Sequence, residues 1–285
     1  MSDQLILEYV LAGLMRRYIK RVPDVSKIIS EMIKTNIIAS GSDICNDHIA
    51  FRCLGIQHLG IASLEKIFLK LGYVKKDYLY FKEKKLNAFW YSPPKSRKSL
   101  ARVFISECRL NEFSLEAQQL VAKYTNHIKK DPVDELDLTD KHAIDHFLHH
   151  RLWPCLSWED YHCLVNESEY LAWVMNNRYY LNHFTISIHQ LPKPYNQLDV
   201  FNDFLLSIGI TLNQSGGIIK KSKDSLLLQS ASIAAKTPMT FPLKNGGHCV
   251  KYVPGSYVEF AQRINGRDGF DSENADKIFE STYLK

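Results

Sequence analysis

Apolar residues open the chain at helical spacing: Leu5, Ile6, Val10, Leu11, Leu14 and Met15 form the stripe of an amphipathic helix. The helical reading covers residues 1–40 in two pieces, broken near Val22 and Pro23. The period then changes to two. In "NDHIAFRCLG" (46–55) a strand over 47–54 places Ile49, Phe51 and Cys53 on one face and His48, Ala50 and Arg52 on the other. The first face is ordinary core; the second joins an imidazole and a guanidinium across one alanine. "SLEKIFLKLGY" predicts a short helix with Ser63 as N-cap and Gly72 as its stop. Three strand-like runs follow: "YVKKDYLYF", "LNAFWYSP" and "ARVFISEC".

From 111 to 178 the signals are mainly helical, in "SLEAQQLVAKYT", "TDKHAIDHFLHHRLW" and "SWEDYHCLVNESEYLAWVMNN". The earlier order then returns. "LNHFTISIH" reads as a strand and "QLDVFNDFLLSIGI" as a helix stopped by Gly209. After them come "GGIIKKS", "LLLQSASIA" and "GHCVKYVPGSYVEFAQRI". Strand, helix and three further strands thus occur twice, as a repeat of element order without a repeat of sequence. The first module opens with His48 and closes with Glu107; the second opens with His183 and closes with Glu259. The expected fold is α+β, with paired βαβββ modules forming a cupped, barrel-like mixed sheet. The expected plan is one domain over 1–285: N-terminal helices (1–40), first module (41–110), helical insertion (111–178), second module and C-terminal segment (179–285).

Composition narrows the class. With 45% hydrophobic and 24% charged residues the chain reads as a soluble globular protein. A formal charge of +5, with no basic block interleaved with aromatics, argues against nucleic acid as a partner. No apolar run reaches the ~18–20 residues of a membrane span. The first helix carries Asp3 and Glu8 and has no basic leader region, so it reads as part of the domain. Six scattered cysteines without a CxxC pair predict reduced thiols and a cytoplasmic protein.

The candidate chemistry lies on strand faces. His183, Thr185, Ser187 and His189 share one face of "NHFTISIH"; Tyr257, Glu259 and Ala261 share one face of "SYVEFAQR". Two histidines and a carboxylate in open coordination are the ligand set of non-haem Fe(II) sites. The plainer alternative is a pair of hydrogen-bonded core histidines beside an edge glutamate, since eleven histidines make chance groupings common. "HAIDHFLHH" places His142, His146 and His149 or His150 near one helix face, but it is not HExxH and reads as helix surface. "NQSGGIIKK" lacks phosphate-loop spacing and reads as a hairpin turn.

Together "DHIAFR", "NHFTISIH", "GSYVEFAQR" and "GFDSENADKIFEST" resemble the 2-oxoadipate dioxygenase/decarboxylase (2-hydroxyglutarate synthase) family of the vicinal oxygen chelate superfamily, over roughly residues 40–285. The resemblance implies Fe(II) held by His48, His183 and Glu259, and Arg52 as the binder of a substrate carboxylate. It also implies that a 2-oxo acid, 2-oxoadipate foremost, and O2 give a 2-hydroxy acid (2-hydroxyglutarate) and CO2 in lysine breakdown. Arg52 lies about 13 Å along the strand from His48, at ~3.3 Å per residue, a reach that suits the far carboxylate of a dicarboxylate. Ser187, His189 and Tyr257 are expected pocket walls from strand parity. Asn274 stands where family members often have serine, and is expected to touch substrate. Glu107 is expected to be a buried polar partner at a pseudo-symmetric position rather than a ligand. The alternatives are a metal-dependent isomerase or lyase with the same ligands, or a non-catalytic small-molecule-binding module.

Overall fold

The computed structural model describes residues 3–283. Helices α1 (Asp3–Arg21) and α2 (Pro23–Lys34) meet at Val22, where Pro23 takes a first-turn position that needs no N–H donor. The first module follows as β1 (Asn46–Leu54), α3 (Ile61–Lys70), β2 (Val74–Phe81), β3 (Leu86–Ser92) and β4 (Arg102–Cys108). Gly72, at φ 89°, ends α3 as expected, and Tyr73 N–H closes the turn onto Phe68 O. The start differs from expectation. Gly60 is the N-cap, and Ser63 lies inside the helix, donating from Oγ to Asp131 at 2.6 Å.

The insertion contains α4 (Leu115–Thr125), α5 (Lys141–Phe147), α6 (Trp158–Glu167) and α7 (Glu169–Asn177). Ser114, Asp140, Ser157 and Ser168 cap them in turn, each accepting from a backbone N–H of the first turn. Ser168 thereby splits the 158–177 stretch into two helices. The second module comprises β5 (His183–Ser187), α8 (Leu198–Ser207), β6 (Lys220–Lys221), β7 (Leu227–Ala231), β8 (Lys236–Pro242), β9 (His248–Pro254) and β10 (Tyr257–Arg263), before α9 (Ser272–Ile278). β5 stops at Ser187, and His189 falls in the 3-10 turn after it, so strand parity does not extend to His189. β8 had no counterpart in the sequence reading; it pairs only with β9, as a separate hairpin. The turn at 216–217 leads into the two-residue β6, and β6 pairs forward with β7.

Eight strands form one curled sheet in the order β2-β3-β4-β1-β5-β10-β7-β6. β1 is parallel to β4 and β5 is parallel to β10, while β1 and β5 meet antiparallel at the centre. Each half thus repeats the other, which is the expected α+β architecture of paired modules.

Register corrects one expectation. Glu259 sits opposite Thr185, two residues past His183; two residues past His48 is Ala50, whose partner is Phe104. Phe104, not Glu107, is therefore the structural mate of Glu259. Glu107 lies further along, opposite Cys53, and its carboxylate accepts from Ile61 N–H at 2.7 Å, bound to the start of α3.

The two faces of β1 behave as the alternation requires. Ile49, Phe51 and Cys53 join the core built with α1, α2, α3 and α8. Ala50 and Leu54 join the opposite core, which contains Phe104 and, from the insertion, Val121, Leu164, Leu171 and Trp173. Fully buried phenylalanines such as Phe51, Phe201 and Phe260 each contribute roughly 1.5–3 kcal/mol by leaving water. The sheet is therefore covered on both faces, and polar side chains on its inner face are shut away from bulk solvent. His142 and His146 lie exposed on α5, as expected of a helix surface, whereas His149, half-buried, and His150, exposed, fall in the turn beyond its end. Among the described residues no helix is long and apolar enough to cross a membrane.

Candidate active site

The central strands bring three ligand-type side chains together. Ala50 pairs with His183 across β1 and β5, and Glu259 pairs with Thr185 across β10 and β5. His48, His183 and Glu259 consequently project from three adjacent strands onto one inner face. They are 2%, 5% and 1% exposed, and their ligand atoms lie within 4.8 Å of one another. His48 Nε2 is 3.3 Å from His183 Nε2, and the Glu259 oxygens are 3.5 Å from His48 Nε2 and 3.1 Å from His183 Nε2. Ligands ~2.1 Å from a common ion and at right angles to each other stand about 3 Å apart. The three groups fit one side of a six-coordinate metal, with the other side left to the cavity.

Neighbouring side chains fix the imidazoles. His48 Nδ1 is 2.9 Å from Asp47 Oδ1, and His183 Nδ1 is 3.0 Å from Asn182 Oδ1. Both acceptors assign the ring proton to Nδ1 and leave Nε2 facing the centre. Asp47 is itself held by Arg263, whose Nε and Nη2 donate at 2.6 and 2.8 Å. Burial opposes charge on Asp47, but the Arg263 guanidinium outweighs it and holds the carboxyl far below its usual range. Glu259 is likewise opposed by burial, yet the two imidazoles keep its carboxylate ionised. Burial pulls the His48 pKa down, and Glu259 with Asp47 more than reverses this; His183, with no such second carboxylate, is lowered by its burial. The site is thus a buried carboxylate between two imidazoles of unlike basicity.

Asp47→Asn is expected to weaken divalent-metal affinity about 10–100-fold, the usual cost of losing a partner behind a ligand. Titration of the folded variant with Co(II) measures this, and wild-type affinity would separate Asp47 from the metal.

A small cavity opens on this face, lined by His48, His183, Glu259, Gln229, Tyr257 and Phe104 and roofed by Phe270, Ala275, Ile278 and Phe279. Phe270 packs edge-on against His48 at 4.8 Å. A larger cleft lies between the 56–59 loop and α4, but the one group of metal-ligating side chains found among the described residues is in the smaller cavity. Size there does not mark the chemistry.

Arg52 lies just behind the cavity wall. It is 1% exposed, donates to Thr282 Oγ1 at 3.0 Å and Phe279 O at 3.2 Å, and is faced by the rings of Tyr170, Trp173 and Phe279. No acidic side chain among the described residues forms an ion pair with it, and its Nε has no partner. Tyr257 lines the cavity; its ring lies 4.7 Å from His183, and its buried hydroxyl, beside Arg52, has no acceptor among the described residues. Burial raises the pKa of that hydroxyl against the pull of the nearby Arg52.

The other sequence candidates fall elsewhere. β1 and β5 are antiparallel, so Ser187, four residues beyond His183, lies away from Arg52 and does not line the cavity. Asn274 is one layer back: its Nδ2 donates to Gln229 Oε1 at 3.0 Å, while Gln229 Nε2 donates to Glu259 Oε1 at 2.6 Å. The sequence reading missed Asp47, Asn182 and Gln229. A signal existed for the first two, since each proposed histidine is preceded directly by a side-chain acceptor. Gln229 needed the strand pairing, because it lies diagonally across from Glu259, two residues before Glu259's partner Ala231 in β7.

The sequence profile of the 2-oxoadipate dioxygenase/decarboxylase family matches residues 10–266. A 2-oxoadipate dioxygenase/decarboxylase of rice, designated chloroplastic/amyloplastic, is 36% identical over 96% of this chain and 78% of its own length. The chloroplastic counterpart from Arabidopsis thaliana is 36% identical over 96% of this chain and 76% of its own. The crystal structure of the rice hydroxyglutarate synthase in complex with 2-oxoadipate superposes with a TM-score of 0.86 at 34% identity, covering 99% of this chain and 93% of that one.

Proposed function

The chain belongs to the 2-oxoadipate dioxygenase/decarboxylase family, and on that premise we propose that it converts a 2-oxo dicarboxylic acid, 2-oxoadipate foremost, and O2 to a 2-hydroxy acid and CO2. In this reading His48, His183 and Glu259 hold Fe(II), and Arg52 with Tyr257 receives the far carboxylate. The observation that carries it is the pairing of a buried His-His-Glu cluster with a buried arginine that has no acidic partner among the described residues. A buried guanidinium without a counter-charge is costly, and a substrate carboxylate would supply that charge. The Tyr257 hydroxyl lies beside the Arg52 guanidinium, and neither it nor Arg52 Nε has an acceptor among the described residues; a carboxylate would supply one.

Bound Fe(II) supplies open coordination positions at which a 2-oxo acid and dioxygen meet. The protein groups do the rest. Asp47 and Asn182 hold the two rings with Nε2 turned to the centre, Arg52 sets the direction of the substrate chain, and Phe104, Phe270 and Phe279 exclude water. The overall reaction balances: 2-oxoadipate loses its C1 carboxylate as CO2, and both atoms of O2 end in 2-hydroxyglutarate. The six cysteines are all unpaired thiols, which supports a reducing compartment, the cytoplasm in our reading.

The test is anaerobic reconstitution with Fe(II), followed by O2 uptake with 2-oxoadipate and with shorter and longer 2-oxo acids. One O2 consumed per CO2 released is the expected result. Lack of uptake with every substrate refutes the proposal, and turnover without oxygen would move the protein to the isomerase or lyase class.

A further inference from the structure

Glu259 can present one oxygen or two to a metal, and one of its oxygens is held by a chain of two buried amides. Gln229 and Asn274 are both 2% exposed, so every polar atom they carry must be matched inside the protein. Asn274 sits in the first turn of α9, anchored by Asp271, whose side chain caps the helix by accepting from Glu273 N–H and Asn274 N–H. Its side-chain nitrogen is identified by its surroundings: it faces the Lys220 and Leu227 carbonyls, each at 3.4 Å, and carbonyls only accept. The Gln229 atom 3.0 Å from that nitrogen must then be the amide oxygen. It follows that the Gln229 atom 2.6 Å from Glu259 Oε1 is the amide nitrogen, and it donates to the carboxylate.

Resting on the function proposed above, we infer that Gln229, oriented by Asn274, is a positioning residue that confines Glu259 to monodentate binding through Oε2. Oε1, 3.5 Å from His48 Nε2, carries the short charge-assisted hydrogen bond from Gln229, whereas Oε2, 3.1 Å from His183 Nε2, has no amide donor on it among the described residues. The count of positions gives this its purpose. If a metal held by His48, His183 and one Glu259 oxygen were six-coordinate, three positions would remain, enough for a chelating 2-oxo acid and dioxygen together. A bidentate Glu259 would leave two, and substrate and oxygen would then compete. Asn274 thereby acts on substrate binding without touching substrate, through an amide relay from α9 to β7 to β10.

The Co(II)-loaded protein tests this without turnover, because its visible spectrum reports coordination number. Gln229→Leu is expected to retain Co(II), to change that spectrum, and to bind 2-oxoadipate about 10–100-fold more weakly, the range for partners behind a metal ligand. Asn274→Leu leaves Gln229 in place but frees its amide to turn, and should shift both readouts the same way to a smaller extent. A purely packing role would lower the melting temperature while leaving the Co(II) spectrum and the 2-oxoadipate affinity of the folded protein unchanged. Wild-type spectrum and affinity in Gln229→Leu overturn the inference; if that variant does not fold, the same result in Asn274→Leu does so. A wild-type Co(II) protein that binds no 2-oxo acid would instead mark failure of the proposed function itself.

Discussion

Arg52→Leu is expected to lower kcat/KM for 2-oxoadipate by at least about 10²-fold, because breaking a buried charge pair costs ~3–5 kcal/mol. The loss should fall on dicarboxylates. A 2-oxo monocarboxylate of similar length never uses the guanidinium, so its slow turnover should change little. Arg52→Lys should not restore the rate, since an ammonium cannot reproduce the planar two-pronged contact. Stability should move the other way. The guanidinium has two hydrogen bonds, three aromatic neighbours and no acidic partner among the described residues, so leucine at this buried position should leave the melting temperature of the substrate-free protein unchanged or raised. Steady-state kinetics on paired mono- and dicarboxylate substrates, together with thermal melts, check both halves. An equal loss on both substrate types would remove Arg52 from carboxylate recognition.

Glu259→Gln is expected to abolish stoichiometric metal binding and to reduce turnover by about 10³-fold or more. Losing a partner behind a ligand already costs ~10–100-fold, and losing the anionic ligand itself must exceed that. The exchange keeps the shape of the side chain but removes the one negative charge between His48 and His183. The new amide oxygen can still accept from Gln229 Nε2, so that hydrogen bond survives while the charge is lost. The clearest readout is thermal. At a hundredfold excess over Kd a bound metal stabilises the native state by about 2.7 kcal/mol, and that metal-dependent rise should be present in the wild type and missing in the variant. An undiminished rise in Glu259→Gln would exclude this carboxylate as a ligand.

Much of this was readable because strands alternate. The face carrying His48 and Arg52 and the face carrying Ile49, Phe51 and Cys53 separated in the structure into two different cores, as period two demands. The repeated element order likewise became two parallel pairs joined at antiparallel β1 and β5. Where the chain leaves regular structure, the same logic fails. His189 lies past the end of β5, in a 3-10 turn, and Ser63 lies one turn inside α3 because the chain begins that helix at Gly60. Glu107 shows the deeper limit. Both modules close on a glutamate, but only pairing register reveals that Phe104 faces the cavity at the matching place while Glu107 caps a helix.

The sequence by itself determined what each strand could offer: which side chains share a face, where helices must stop, and a set of ligand-type residues consistent with metal chemistry. Local covalent geometry sets those properties, so no distant contact is needed to read them. Only the tertiary structure decided which offers meet. Residues separated by more than two hundred positions, such as Arg52 and Thr282, or Asp47 and Arg263, touch because the central strand pair and the C-terminal segment bring them together. The relay from Asn274 through Gln229 to Glu259 joins a helix and two strands by two hydrogen bonds, and no spacing along the chain encodes the angle at which an amide meets a carboxylate.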